Sequence, residues 1–563
     1  MNELLNKLDH FYKNQQFDEA LSMMLDEYQK AQNNQEYELL LLLDNELMGF
    51  YRVHSQFENA QIIAEHAIQL IHEMNLDGTI EGATTYLNIA TLYRQQGYIQ
   101  DALEMYQKTH SLYRKYLDEC DERYIALFNN ISLVYFDKKQ YFRALDYGYR
   151  ALALIENKDD CIIETAITYA NLSQFHFALR QYDKGYECIL KSKQLFKNNG
   201  TNDPHYYALL NNEAIYYYQK HHLFKAHHIY QEILIGLKKL YGENQDYKHV
   251  KRNDQILLEE MNKSFGLNLC ESYYFDIGKP MLENDFSNFM SKMAIGLVGM
   301  GSECLGYDDE ISRDHDFGPG FCIWLPKKDY QEIEFVLQNA YNQLTPEYEG
   351  FKRENSKRGQ ERVGVFCIED FFIIPQSLKQ WLEIDEYLLC MLTGGRIFDD
   401  LLGEVTSRRK ILKYYPEDVR LKKLAKSVAK MAQSGQYNYL RCLKRHDYVA
   451  ASLALNEFID ETLSCIYLLN KKYKPYYKWT FHGLKDCNKL TSISDLLEEL
   501  VFTGVYQKEQ TIELIEKICS EVIVELKQQS LSNVENDFLD NHVDSIMNKI
   551  VDQEIRSMHI MEG

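Results

Sequence analysis

A repeat constrains this chain more than any other feature of its sequence. Small residues recur at Ala20, Ala60, Ala102, Ala144, Gly185 and Ala226, at intervals of 40, 42, 42, 41 and 41. Nine residues before each stands a ring: Phe11, Tyr51, Tyr93, Tyr135, His176 and Tyr217. Fourteen before stand Asn6, Glu46, Asn88, Asn130, Asn171 and Asn212. One such unit cannot bury its apolar face alone, so a fixed period near 40 means units stacked into a continuous core. The breakers agree. Of eight prolines only Pro204 precedes residue 250, and only nine of 27 glycines do. The first half therefore reads as nearly uninterrupted helix and the second as a mixed fold.

Stretches such as Leu87 to Tyr106 (LNIATLYRQQGYIQDALEMY) resemble tetratricopeptide repeats, with small residues where two helices cross and rings wedged between neighbours. The resemblance covers roughly residues 1–250 as six helical hairpins and implies a superhelix whose first helices line a concave surface. The recurrent asparagines sit on that first helix. A side-chain amide donates and accepts at once, which suits Asn88, Asn130, Asn171 and Asn212 to holding the main chain of an extended peptide. The other reading is that they bond neighbouring repeats to one another.

Composition limits the partners. Lys and Arg number 62 against 84 Asp and Glu, and the formal net charge of -22 opposes a general nucleic-acid binder at long range. It favours a basic or extended peptide or protein on the array, with RNA the less favoured partner. The twelve cysteines are never closer than 18 residues, which excludes a zinc knuckle and suggests reduced, buried thiols. The sequence has no run of about 18 apolar residues and starts with an amphipathic segment, so the expectation is a cytoplasmic protein with no membrane partner.

The chemistry lies after the array. Ala294 to Met300 (AIGLVGM) reads as a buried strand, followed by Gly301-Ser302 and then Ser312-Arg313-Asp314-His315-Asp316-Phe317. Gly301 lets backbone N–H groups approach phosphate oxygens and the Ser302 hydroxyl adds a donor. Asp314 and Asp316 alternate by two along the next strand, so both carboxylates point to one face, as a two-metal site requires, with His315 on the other.

This string, G-S-x-x-x-G followed by S-x-D-x-D, resembles the signature of the DNA polymerase beta-like nucleotidyltransferase superfamily. Within it, Gly301 to Asp316 (GSECLGYDDEISRDHD) resembles a bacterial branch known only as a domain of unknown function. The resemblance implies that Ser302 contacts the beta or gamma phosphate of a nucleoside triphosphate, ATP foremost. It also implies that Asp314 and Asp316 hold Mg2+. A third carboxylate normally comes from a neighbouring strand. Arg362 to Phe372 (RVGVFCIEDFF) is the best following strand; its centre offers Gly364 where an acid is wanted, leaving Glu369 or Asp370 at its end, or another acid such as Glu386. Asp308, Asp309 and Glu310 crowd the same loop and read more simply as a solvated loop.

From Ile384 onward the apolar spacing is helical. Residues 405–446 hold twelve Lys and Arg against two acids, a sign reversal that suits a phosphate-facing helix or, equally, a solvated face. Arg408 and Arg409 head this stretch. Lys471 to Trp479 (KKYKPYYKW) sets rings beside lysines, which suits Lys478 to a phosphate beside a stacked base; packing of Tyr476, Tyr477 and Trp479 into the core is the alternative. Arg441 and His446 match the spacing of helical ribonuclease domains, a weak signal.

The sequence thus predicts a multidomain α and α+β chain: an N-terminal α-solenoid of helical hairpins (1–260), a nucleotidyltransferase-like mixed sheet (261–383) and a C-terminal helix bundle that binds substrate (384–563). The expected activity is magnesium-dependent transfer of a nucleoside monophosphate to a hydroxyl acceptor, with the array recruiting a peptide or protein. The alternative is an interaction protein whose transferase domain binds nucleotide without turnover.

Overall fold

A computed structural model describes residues 2–155, 158, 161–199, 203–314, 317–353 and 362–563; of Asn2, Lys13, Asn199 and Asp314 only the backbone is described. The chain forms two compact units, Met1–Asn262 and Lys263–Gly563.

The first unit is an α-solenoid. Paired helices follow one another from Asn2–Lys13 with Phe17–Asn34 to Pro204–Gln219 with Leu223–Tyr241, six hairpins in all, and Gln245–Lys263 closes the run. The repeat register is steric. Ala20, Ala60, Ala102, Ala144 and Ala226 are wholly buried at the helix crossings. At Gly185 a Cβ would lie 2.3 Å from the Phe177 ring, so only glycine fits there. The last repeat returns to the first two. Tyr241 packs on Phe17 and His54, with ring centroids 5.8 and 5.5 Å apart. The Asn244 amide donates to the Val53 carbonyl at 3.1 Å, and the Gln245 N–H donates to the Ser55 hydroxyl at 2.9 Å.

The second unit is built round a four-stranded mixed sheet. Its strands are β1 (Ala294–Leu297), β2 (Cys322–Leu325), β5 (Gly364–Cys367) and β6 (Arg396–Asp400), in the order β5-β2-β1-β6; β3 (Glu347–Tyr348) and β4 (Phe351–Lys352) make a separate hairpin. β1 runs antiparallel to β2 and β6, while β2 and β5 are parallel and joined through the helix Lys327–Gln343. β1 and β2 are buried along their whole length, as their apolar sequences require. One apolar core runs from Leu267 through the sheet to Ile555 on the C-terminal helices.

Two expectations are corrected. Ile311–Asp314 is a turn of 3-10 helix, and the next strand begins only at Cys322, so the segment approaching Asp314 is not strand. Gly318 explains the delay: it has φ 108, and a Cβ there would meet the Lys352 carbonyl at 2.4 Å, so the chain bends tightly against β4 before it can extend. Further on, β6 interrupts a stretch read as all helix. Its five residues (RIFDD) are each half-buried and show no apolar alternation, so pairing with β1 decides their state.

Candidate functional site

The register of the sheet assigns each loop to one of its ends. Gly296 lies opposite Cys322, Cys322 opposite Gly364, and Leu297 opposite Arg396. The chain therefore leaves β1 toward Gly301 and Ser302 at the end where β2, β5 and β6 begin. Glu369 and Asp370 follow β5 at the other end, beside Lys327. Four extended residues separate the ends, roughly 10–13 Å.

At the first end the turn is built closely. Gly301 has φ 125 and ψ 144, and a Cβ on it would meet the Glu303 carboxylate at 2.5 Å. Ser302 is buried and opens the short helix Ser302–Leu305; its carbonyl accepts the Tyr307 N–H at 3.0 Å. Gly395 donates its N–H to the Cys304 carbonyl at 2.6 Å. A Cβ on Gly395 would stand 2.0 Å from the Leu297 carbonyl, so two glycine-dependent turns interlock where β1 ends and β6 begins. Beneath them Glu303 is ion-paired with Arg362, both side chains almost fully buried, and Arg362 also donates to the Gly318 carbonyl at 2.9 Å.

Three contacts anchor the rest of the loop. Asp308 accepts the Gly266 N–H at 2.8 Å. Asp309 and Ser312 exchange hydrogen bonds, and the Ser312 N–H and hydroxyl hold the Asp309 carboxyl below its ordinary value. The Tyr307 hydroxyl donates to Asp486 at 2.6 Å while its ring packs on Trp479 and His482, centroids 5.7 and 5.0 Å away. Burial first, then Asp486, pushes that phenol well above its ordinary value. Arg313, next to Asp314, faces the rings of Phe265, Phe317 and Phe351 at 4.3, 5.6 and 6.0 Å. His315, Asp316 and the Asp314 side chain lie outside the described residues. By chemistry the two carboxylates fit magnesium, which takes hard oxygen donors, and Asp314 ends a turn on the approach to β2.

Other expected site residues are used inside the fold. Glu369 accepts the Lys327 N–H at 2.9 Å, capping the helix Lys327–Gln343; burial would raise its carboxyl, but that amide, its own backbone N–H, the Cys367 thiol and Arg408 together bring it below its ordinary value. Asp370 is exposed beside it. Neither stands at the Ser302 end of the sheet. Arg409 donates to the carbonyls of Leu392, Thr393 and Gly394 at 3.1, 2.7 and 2.5 Å, and Arg408 bonds Glu404 and the Phe372 carbonyl. Arg420, Lys422, Lys423, Lys426 and Lys430 likewise donate to carbonyls or carboxylates of their own unit. Much of the basic stretch thus serves internal structure. Lys478 remains exposed, its ammonium 5.3 Å from the Trp479 ring centre. Arg441 bonds Tyr437, and His446 sits in the left-handed conformation that ends a helix.

In the array the asparagines join neighbouring repeats. Asn88 donates to Asn45 at 2.7 Å, Asn171 to Asn129 at 3.3 Å, and Asn212 to the Ala170 carbonyl and the Ser173 hydroxyl at 3.0 and 3.2 Å. Each of these three amides donates at least one hydrogen bond to the neighbouring repeat, and Asn130 is half-buried. Sequence reading missed the partners Asn45 and Asn129, although each directly precedes a register position. A pocket of about 650 Å³ lies inside the array. Tyr12, Phe17 and Phe50 form its apolar wall, with Arg52 and Glu46 beside them and Asp203 and Tyr241 from the far end of the unit.

Residues 381–480 match a family described as a domain of unknown function (DUF4037), and residues 83–119 match a tetratricopeptide repeat family. No curated protein matches the chain. Among solved structures, BtubC (BKLC) from P. vanneervenii is 21% identical over 35% of this chain and 80% of that one, with a TM-score of 0.31. The apo form of RapI is 19% identical over 52% of this chain and 86% of that one, with a TM-score of 0.34. The TPR2AB domain of yeast Sti1, solved in complex with an HSP90 peptide, is 17% identical over 46% and 97%, with a TM-score of 0.19. The N-terminal unit is a tetratricopeptide-like array of the kind used for protein interaction. Among the described residues no helix is long and apolar enough to cross a membrane.

Proposed function

We propose that the second unit is a magnesium-dependent nucleotidyltransferase that moves a nucleoside monophosphate, from ATP foremost, to a hydroxyl acceptor recruited with the help of the repeat array. The observation that carries this reading is the tight Gly301-Ser302 turn at the exit of β1, locked by Gly395, with the chain returning into an antiparallel β2 at the same end. Ser302 would contact the phosphates. Asp314 and Asp316 would hold Mg2+, which when bound neutralises charge on the entering and leaving oxygens of an in-line displacement. Tyr307, tied to Asp486 and packed on Trp479, would fix the loop against the segment that carries Lys478. The array would bind a peptide or protein in its interior pocket.

A second reading is supported by the position of Glu369 and Asp370. With these acids at the far end of the sheet, a fold that binds nucleotide without turnover explains the same turn. Magnesium-dependent pyrophosphate release from the four nucleoside triphosphates, with cell extract as acceptor source, separates the two. Release that disappears in Asp314→Ala/Asp316→Ala supports the transferase. No release, with nucleotide binding that survives those substitutions, supports the second reading.

A further inference from the structure

Three buried polar atoms without a hydrogen-bond partner gather in one part of the second unit: Glu386 Oε1 and the hydroxyls of Tyr414 and Tyr415. Their surroundings overlap. The Tyr414, Tyr415 and Tyr473 rings lie 4.8 to 5.3 Å apart, centre to centre, and Trp381 closes on Tyr415 at 6.2 Å. Burial and then the Glu386 charge push both phenols well above their ordinary value, which sets them in the field of that carboxylate. Tyr473 differs from its neighbours, since its hydroxyl donates to the Leu412 carbonyl at 2.8 Å.

A buried polar atom left unpaired costs about 1–3 kcal/mol, and native folds retain few of them. Phenylalanine would fill the same space at positions 414 and 415 without that cost. We propose that Glu386, Tyr414 and Tyr415 form a binding site for a neutral, hydroxyl-rich small molecule, with the tyrosine rings as its apolar wall. The chemistry selects this class. A carboxylate oxygen needs an O–H or N–H donor, and two phenols can each donate and accept, which matches neighbouring hydroxyls. An anionic ligand would meet Glu386, whose carboxyl burial raises above its ordinary value against the pull of Lys423 and Lys474. A cationic one would meet Lys423, which lies 5.5 Å from the Tyr415 ring centre and donates to the Leu382 carbonyl, and Lys474, whose backbone N–H faces the Glu386 carboxylate. All these residues fall within 381–480, the stretch that matches the domain of unknown function. Glu386 and Tyr414 are half-buried residues with enclosed polar tips, so the cluster lies directly under the surface.

The inference concerns binding and stands whether or not the Ser302 turn supports turnover. Its test uses the full chain and the variants Glu386→Gln, Tyr414→Phe and Tyr415→Phe. Saturation-transfer NMR follows myo-inositol, ribose and glucose, with tetramethylammonium and inorganic phosphate as the charged probes, and thermal unfolding follows the ligand-free proteins. At least one of the neutral probes binds the wild type, and each variant weakens it by about tenfold or more. The two Phe variants unfold at the wild-type temperature or above it, because the hydroxyls they lose have no partner in the free protein. Two results would overturn the site: a fall of several degrees in both Phe variants, which would mark a structural network satisfied by buried water, or a wild type that takes only a charged probe or none.

Discussion

The side chain of Asn244 reaches back across 191 residues to the Val53 carbonyl, at 3.1 Å, while its own oxygen accepts the Tyr247 N–H at 2.9 Å. One buried amide thus starts the helix Gln245–Lys263 and fastens it to the second repeat. Asn244→Ala removes both bonds and should cost about 1–2 kcal/mol. Hydrogen exchange is the direct check: the Gln245 amide, which bonds Ser55, should lose protection while the amides of the central hairpins keep theirs.

The Glu303 and Arg362 side chains are paired in an almost water-free position under the Ser302 turn. Removing one partner leaves the other charge buried alone, so Glu303→Ala should destabilise the second unit by about 3–5 kcal/mol. Glu303→Leu combined with Arg362→Met should lose clearly less than the single change. Urea unfolding of the three proteins measures the difference, and a double variant no better than the single would contradict the pairing.

Asn212 separates two roles proposed for the repeated asparagines. Because its amide bonds Ala170 and Ser173 in a fully buried setting, Asn212→Ala should lower the stability of the array by about 1–3 kcal/mol with no ligand present. A residue reserved for a peptide would leave the free protein unchanged.

Asp44 gives the array a pH dependence of its own. It is fully buried 2.8 Å from His66, and burial pushes its carboxyl up from 3.8 to about 6, with His66 and Tyr28 restraining the rise. Between those two values the folded chain holds a proton that the unfolded chain releases. The contribution is therefore full at low pH and is lost as pH rises through about 6, a fall on the order of 1–3 kcal/mol. Asp44→Asn should flatten this part of the stability profile in a chemical-denaturation series from pH 4 to 7.

The solenoid was legible because a steric requirement recurs: a crossing that tolerates only Ala or Gly writes its period into the chain, and Gly185 meets that requirement against Phe177. β1 and the Gly301 turn were legible for a related reason, an apolar run ending at a backbone conformation that glycine alone adopts readily. The end of the sheet to which an acid belongs was not legible. Glu369 follows an apolar strand as a catalytic acid would, and only the parallel pairing of β5 with β2 sets it beside Lys327. The basic stretch misled for a different reason, since charge in a sequence does not record which carbonyls it faces. Arg409 spends its guanidinium on the end of the helix Glu386–Thr393.

An open solenoid gains or loses units one at a time, because each contacts only its neighbours. Here the end of the sixth repeat is bonded to the second, so the count of repeats is itself under constraint. Duplicating one 42-residue unit would displace Tyr241 and Asn244 from Phe17, His54 and Val53, breaking contacts that no local sequence change restores. Variation in this array should therefore proceed by substitution within repeats of fixed number, and a recombinant with five or seven should fail first at the seam.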